Sequence, residues 1–153
     1  MQKSIPSICI VGIGNPLRTE YCIGVYTIDL INIKQLPGVH TIATQQLDSA
    51  MIEELSGFNE VVFVDAAVNT STIKFEQITD DSTTPQDLSH HITAVLFTKI
   101  AQQLYSSSTQ FYICTIPADH LDIGKKLSKK ATSTASKAVT LLTAWITKKY
   151  ELM

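Results

Sequence analysis

The chain is poor in the features that would assign it at a glance. It has three cysteines, Cys9, Cys22 and Cys114, which lie far apart and form no C-x-x-C pair. An odd, scattered set of this kind argues against a disulfide framework, and a reduced, cytoplasmic protein is expected. Charge of either sign is scarce: 17% of residues are charged, and the formal net charge is −2. No basic stripe stands out except near the C-terminus, so nucleic acid is not an expected partner. No apolar run is long enough to span a bilayer, which leaves the membrane out as well. The apolar residues near the N-terminus follow a single positive charge and are interrupted by Pro6, Gly12 and Gly14. That pattern is not expected of a secretory signal. There is no internal repeat, and no Gly-Lys-Ser/Thr that would make a phosphate-binding P-loop.

What is present is a globular composition. Apolar residues are 44% of 153, enough for one domain with a proper core, taken as residues 1–153. The chain is organised around Ile8-Cys9-Ile10-Val11-Gly12-Ile13-Gly14-Asn15-Pro16, a short branched run ending in turn formers. It reads as a buried strand, about 7–11, feeding a tight loop. A helix is expected from near Thr19, with Ile23, Tyr26, Ile28, Leu30 and Ile31 on its apolar face. A second strand follows at about 39–44, then a short helix capped by Asp48 and stopped by Gly57. Val61-Val62-Phe63-Val64 predicts a strand buried on both faces, with Asp65 at its carboxyl end.

Residues 72–78 predict a further strand, and Ser89 caps a helix with Ile92, Val95, Leu96, Ile100 and Leu104 at helical spacing. Residues 110–116 form another strand, ended by Pro117. Ser128 caps a last helix whose stripe is Ala131, Ala135, Ala138, Leu142 and Trp145. The order β-α-β-α-β-β-α-β-α implies a three-layer α/β sandwich around a mostly parallel sheet.

Several residues carry possible chemistry. Gly12-x-Gly14 invites a dinucleotide reading, but the third glycine of that fingerprint is replaced by Leu17, and Pro16 interrupts the turn. These glycines are equally well read as a place where backbones approach closely. Asp65 is expected at the rim of the sheet, because an unpaired carboxylate is costly to bury. It either caps the next turn or faces a ligand. His90 and His91 fall in a first helical turn, where the dipole disfavours the imidazolium and leaves neutral rings. They are either surface residues or metal ligands. Glu20, Asp65 and one of the two histidines would form an oxygen and nitrogen set suited to zinc or nickel. His120, flanked by Asp119 and Asp122, could be paired with Cys114 or Cys22, though a polar loop is the simpler account. His40 shows no partner in the sequence.

Taken in order, these pieces resemble one family. Gly12-Ile13-Gly14-Asn15-Pro16-Leu17-Arg18, Glu20, Ile23-Gly24-Val25, Gln45-Gln46-Leu47, Phe63-Val64-Asp65-Ala66-Ala67, Ser89-His90-His91, Thr115-Ile116-Pro117 and Gly124-Lys125-Lys126-Leu127-Ser128 look like the successive motifs of the [NiFe]-hydrogenase maturation endopeptidases. The resemblance covers nearly the whole chain. It implies a three-layer αβα sandwich of the phosphorylase/hydrolase-like kind, built on a twisted five-stranded sheet. It also implies an enzyme that trims a C-terminal extension from the hydrogenase large-subunit precursor once nickel is in place. Nickel would be carried by that precursor and recognised by two carboxylates and a histidine. Asp65 matches the second carboxylate, and His91 matches the histidine by its spacing after Ser89, with His90 the near alternative.

The chain departs from the family at the first carboxylate. The family has two adjacent acids and a glycine, the second acid being the ligand. This chain reads Glu20-Tyr21-Cys22. Adjacent helical residues point about 100° apart, so Glu20 does not simply replace its neighbour. A phenol, with an ordinary pKa of about 10, is a poor substitute, and Cys22 would offer a soft ligand. Two readings follow: a processing endopeptidase with an altered metal grip, and a diverged, non-cleaving relative that binds metal or a protein partner. Nucleotide binding through Gly12 and Gly14 is a third.

Overall fold

The computed structural model describes residues 7–14, 23–67, 70–79, 82, 89–118 and 127–151, and only the backbone of 89–93. The elements appear in the expected order. They are β1 (Ile8–Ile13), α1 (Ile23–Ile33), β2 (Val39–Thr44), α2 (Ala50–Leu55), β3 (Glu60–Ala67), β4 (Lys74–Gln77), α3 (Ser89–Leu104), β5 (Gln110–Pro117) and α4 (Lys129–Glu151). The sheet is ordered β2-β1-β3-β5-β4. β1, β2, β3 and β5 pair in parallel, and β4 runs antiparallel to β5 at the edge. Parallel strands must be buried on both faces, and the continuous apolar runs of β1, β3 and β5 meet that demand. All six residues of β1 and all eight of β3 are buried.

The period of two along the strands divides the core. Val62, Val64 and Ala66 of β3, with Tyr112, Cys114 and Ile116 of β5, pack under α1 and α4. Val61 and Phe63, with Phe111 and Ile113, pack under α2 and α3. The stripe of α4 is as expected at Ala131, Ala135, Ala138 and Leu142, completed by Val139 and Ile146. Ser128 caps it, its Oγ accepting the Ala131 amide at 3.0 Å. Asp48 plays the corresponding part at α2, its Oδ1 accepting the Ala50 amide at 2.9 Å. The expected cap at Thr19 lies outside the described residues. Among the described residues, no helix is long and apolar enough to cross a membrane.

Two expectations change. The fourth strand, Lys74–Gln77, is shorter than 72–78; Ile78 enters the core beneath α3 with its amide still donating to the Phe111 carbonyl at 2.8 Å. The larger change is the face of α3. Leu96, Ile100 and Leu104 are 50%, 40% and 75% exposed, while Ala94, Val95, Phe97, Thr98 and Ala101 are buried. Two stripes overlap on this helix, and apolar spacing alone does not choose between them. Small Ala94 and Ala101 let the helix approach the sheet, and Phe97 meets Phe63 and Phe111 edge-on, with ring centroids 5.6 and 6.3 Å apart. Thr98 is buried without an orphaned hydroxyl, because its Oγ1 donates to the Ala94 carbonyl at 2.9 Å.

Lys149, in the last turn of α4, has a specific role. Its Nζ lies 2.9 Å from Glu60 Oε1, and sits 5.3 Å from the Trp145 ring centroid. Burial lowers the lysine pKa, but the hydrogen bond and charge of Glu60 outweigh it and raise the value above the usual 10.5. A raised lysine pKa contributes stability in full below the unfolded value and loses it as pH rises through the folded one. Lys149→Met is expected to cost about 1–2 kcal/mol at neutral pH, after allowance for partial exposure. That difference should shrink in urea titrations at about pH 11 and above.

Candidate functional site

The strand order reverses between β1 and β3: the chain moves from β1 outward to β2, then returns to the other side of β1. In open α/β sheets the crevice at such a reversal, outside the carboxyl ends of the strands, is where ligands bind. β1 ends at that crevice with Ile13 and Gly14, and β3 carries Asp65 toward it.

Two glycines set how closely the crevice is built. A Cβ on Gly12 would lie 2.6 Å from the Gly24 carbonyl oxygen. A Cβ on Gly24 would lie 2.6 Å from the Ile13 carbonyl oxygen and 2.7 Å from that of Val64. The first turn of α1 therefore rests directly on the backbones of β1 and β3. Gly12 is used for this contact, which supports the close-approach reading over nucleotide binding. Glu20, Tyr21 and Cys22 directly precede α1 in the sequence. Those three residues lie outside the described residues.

Asp65 is the sixth residue of β3 and is 1% exposed. The expectation of a rim position is therefore corrected: the strand continues two residues further, through Ala67, and the carboxylate is buried. Its Oδ1 accepts the Ala66 amide at 2.8 Å, so part of its charge is stabilised locally. By strand alternation Asp65 faces the α2/α3 side, as Phe63 does. Beside it in register is Thr115 of β5, buried to 3% exposure. Thr115 had no role assigned from the sequence. The available signal was a polar residue inside a predicted buried strand.

α3 packs on this same face. Its C-terminal end leads through Thr109, whose hydroxyl donates to the Phe58 carbonyl at 2.6 Å, into the start of β5. A helix of 16 residues covers about 24 Å, close to the length of an eight-residue strand. Its first turn, with His90 and His91, is thereby carried back to the carboxyl edge. His90 precedes the buried Ala94 and Phe97 by one and two turns, and His91 precedes Val95 and Thr98 in the same way. The helical period does not separate the two, and their side chains lie outside the described set. Among the described residues, no three His, Cys, Asp or Glu side chains converge. Of the set Glu20, Asp65 and His91, the described side chain is that of Asp65.

Other polar candidates are placed elsewhere. His40 is on β2 and meets Phe58 edge-on at 5.4 Å. His120 lies outside the described residues. Cys114 is sealed in the core under α4, and Cys9 in the opposite one. Burial pushes both thiols up to about 12, with the Glu54 charge adding to the shift at Cys9. A thiol so seldom ionised is no nucleophile, which removes the proposed pairing of Cys114 with His120. Iodoacetamide at about pH 8 is expected to leave Cys9 and Cys114 unmodified in the native protein and to label them after denaturation. Peptide mass spectrometry reads the outcome.

No protein-family model matches the chain, and no curated protein matches it at a significant level. Solved structures do. The hydrogenase maturating endopeptidase HybD from E. coli matches with a TM-score of 0.76 at 14% identity, over 93% of both chains. The [NiFe] hydrogenase maturation protease HybD from Thermococcus kodakarensis gives 0.74 at 16%, over 92% of this chain and 99% of its own. HycI from Thermococcus kodakarensis KOD1 gives 0.71 at 18%, over 94% and 93%. Identities this low establish a shared fold, and the proteins that share it are of the kind that the sequence motifs resemble.

Proposed function

We propose that this chain is a processing endopeptidase that removes the C-terminal extension of a nickel-loaded [NiFe]-hydrogenase large-subunit precursor. The observation that carries the reading is the buried Asp65 carboxylate at the β1–β3 crevice, with the first turn of α3 on the same sheet face. The shared fold with hydrogenase maturation proteases supports it. So does the order of the motifs along the chain.

In this reading the nickel belongs to the substrate. Asp65, with its Oδ1 oriented by the Ala66 amide, and His91 grip the metal of the docked precursor. Glu20 completes the set. These side chains hold the precursor so that its scissile peptide lies against the carboxyl edge, which supplies positioning rather than a covalent nucleophile. The bound nickel contributes Lewis-acid polarisation of the carbonyl or of an attacking water. The activity belongs in the cytoplasm, where free thiols such as Cys9 and Cys114 persist.

One observation favours a second reading. Tyr21 and Cys22 occupy the positions where the resemblance expects an acid and a glycine. A chain lacking the first ligand would bind the precursor without cutting it. Incubation with nickel-loaded precursor decides between them: loss of the C-terminal extension in the intact mass is the expected result. A stable complex with no trimming would establish the non-cleaving relative. Tyr21→Asp is expected to raise nickel affinity in calorimetry, and an unchanged affinity would mean that this position does not touch the metal.

A further inference from the structure

The two edges of the sheet are not alike. β4, at one edge, is four residues long and exposes Lys74, Glu76 and Gln77. Short, charged edges resist pairing with other chains. β2, at the other edge, has six residues, Val39–Thr44, with no lysine, arginine, carboxylate or proline. It stays in unbroken register with β1 from Val39 beside Ile8 to Thr44 beside Ile13. An edge of this kind is open to strand addition. We infer that the outer edge of β2 receives the C-terminal extension of the polypeptide substrate as a sixth, antiparallel strand. The inference rests on the peptidase reading for the identity of the chain that docks.

The backbone fixes what the edge can accept. The Gly38 and Thr44 carbonyls accept the Ile8 and Gly14 amides, each at 2.9 Å. Even-numbered residues of β2 therefore direct their backbone groups at β1, and Val39, Thr41 and Ala43 direct theirs outward. The Val39 amide is taken by the Leu36 carbonyl at 3.2 Å. Among the described residues, the Thr41 and Ala43 amides have no hydrogen-bond partner. Carbonyls of Val39, Thr41 and Ala43 thus alternate with two free amides, a row that fits an extended main chain. Beside it, Val39 packs on the α1/α4 core and Ile42 on the α2/α3 core, each partly buried. Branched, uncharged side chains on an incoming strand would extend both cores.

Direction follows from the site. Thr44 lies beside Ile13. Gly12 pairs with Val64, so Ile13 is level with Asp65, one residue further on. Thr44 and Asp65 are thus at one level, two strand spacings apart. A strand outside β2 is three spacings from β3, about 14 Å, or about four extended residues. A C-terminal extension leads away from a scissile bond at the carboxyl edge. It therefore enters beside Thr44 and runs antiparallel to β2, in the orientation that pairs slightly more strongly.

The test uses the full chain, ¹⁵N-labelled, with N-acetyl-Thr-Val-Thr-Val-Thr-amide and the same peptide N-methylated at every residue. The first is expected to slow hydrogen exchange at the Thr41 and Ala43 amides, leaving His40 and Ile42, already turned to β1, as they were. The methylated peptide, stripped of main-chain donors, should bind at least about tenfold more weakly. No slowing by the first peptide at millimolar concentration, or equal slowing by the second, would overturn the inference. Protection of Thr41 and Ala43 that grows with protein concentration, together with a dimer in sedimentation, would assign the edge to a second copy of this chain and overturn the substrate as occupant. Thr41→Pro removes one outward donor at a place where an edge strand tolerates proline. With precursor it should raise KM several-fold, and an unaltered KM at an unaltered melting temperature would also overturn the substrate as occupant. Should this variant unfold, the two peptides on the unaltered chain carry the test. If the unaltered chain cuts no precursor, the peptidase reading fails, while the peptide titration still decides the edge.

Discussion

Gly24→Ala is expected to lower the stability of this protein by about 3 kcal/mol, the upper part of the range for overpacking a close contact. The added methyl would meet two backbone oxygens, those of Ile13 and Val64, at 2.6 and 2.7 Å. Flexible side chains can turn aside from a new methyl, whereas these oxygens belong to the backbones of two paired strands. Relief requires α1 to lift away from the sheet, taking Ile23 and Ile28 partly out of the core. For a domain of this length the loss corresponds to about 6–12 °C in the melting temperature. Gly57→Ala is the control: its Cβ would lie 3.4 Å from the Glu54 carbonyl, an ordinary contact. It should change stability by no more than about 0.5 kcal/mol. Because α1 directly follows Glu20 in the sequence, Gly24→Ala should also reduce precursor trimming beyond what its loss of folded protein explains. A melting temperature equal to the unaltered chain's would mean that α1 does not rest on β1 and β3 as described.

The second large effect is at Asp65, where two substitutions separate structure from chemistry. Asp65→Asn preserves the shape and an acceptor for the Ala66 amide, so its stability should stay within about 1 kcal/mol of the original. Asp65→Ala removes the acceptor and leaves a gap in a fully buried place. It should cost about 1–3 kcal/mol. The sequence alone suggested a rim position, where such a truncation costs little; the burial of Asp65 makes the cost larger. In the trimming assay both variants should lose activity by about hundredfold or more, since an amide is a weak ligand and Lewis-acid positioning is worth several kcal/mol. Denaturation curves and precursor mass spectra measure the two properties separately. Full trimming by Asp65→Asn would reduce Asp65 to a structural cap and remove the carboxylate from the proposed metal grip.

The contrast at Asp65 shows where sequence reading succeeds and where it stops. The strand carrying Asp65 was legible because four consecutive apolar residues suit a strand covered on both sides. The depth of the carboxylate was not, since it depends on where β5 ends and what lies beside it. α3 is similar. Its extent and its starting residue could be read from Ser89 and the apolar spacing, but Leu96, Ile100 and Leu104 proved to be on the outer side. The helix rotates to place alanines against the sheet and Phe97 between Phe63 and Phe111, partners that are distant in sequence. Gly24 carried no local turn signal that would explain it. Its reason is a carbonyl of a neighbouring strand.

Local pattern by itself determined the succession of strands and helices, the parallel character of the sheet and the caps at Asp48 and Ser128, because each depends on residues within a turn or two of one another. Tertiary structure decided which side of α3 is covered, how deeply Asp65 lies, and why Gly12 and Gly24 must lack a Cβ. Those outcomes depend on distances between segments tens of residues apart, which close packing sets and no local periodicity encodes.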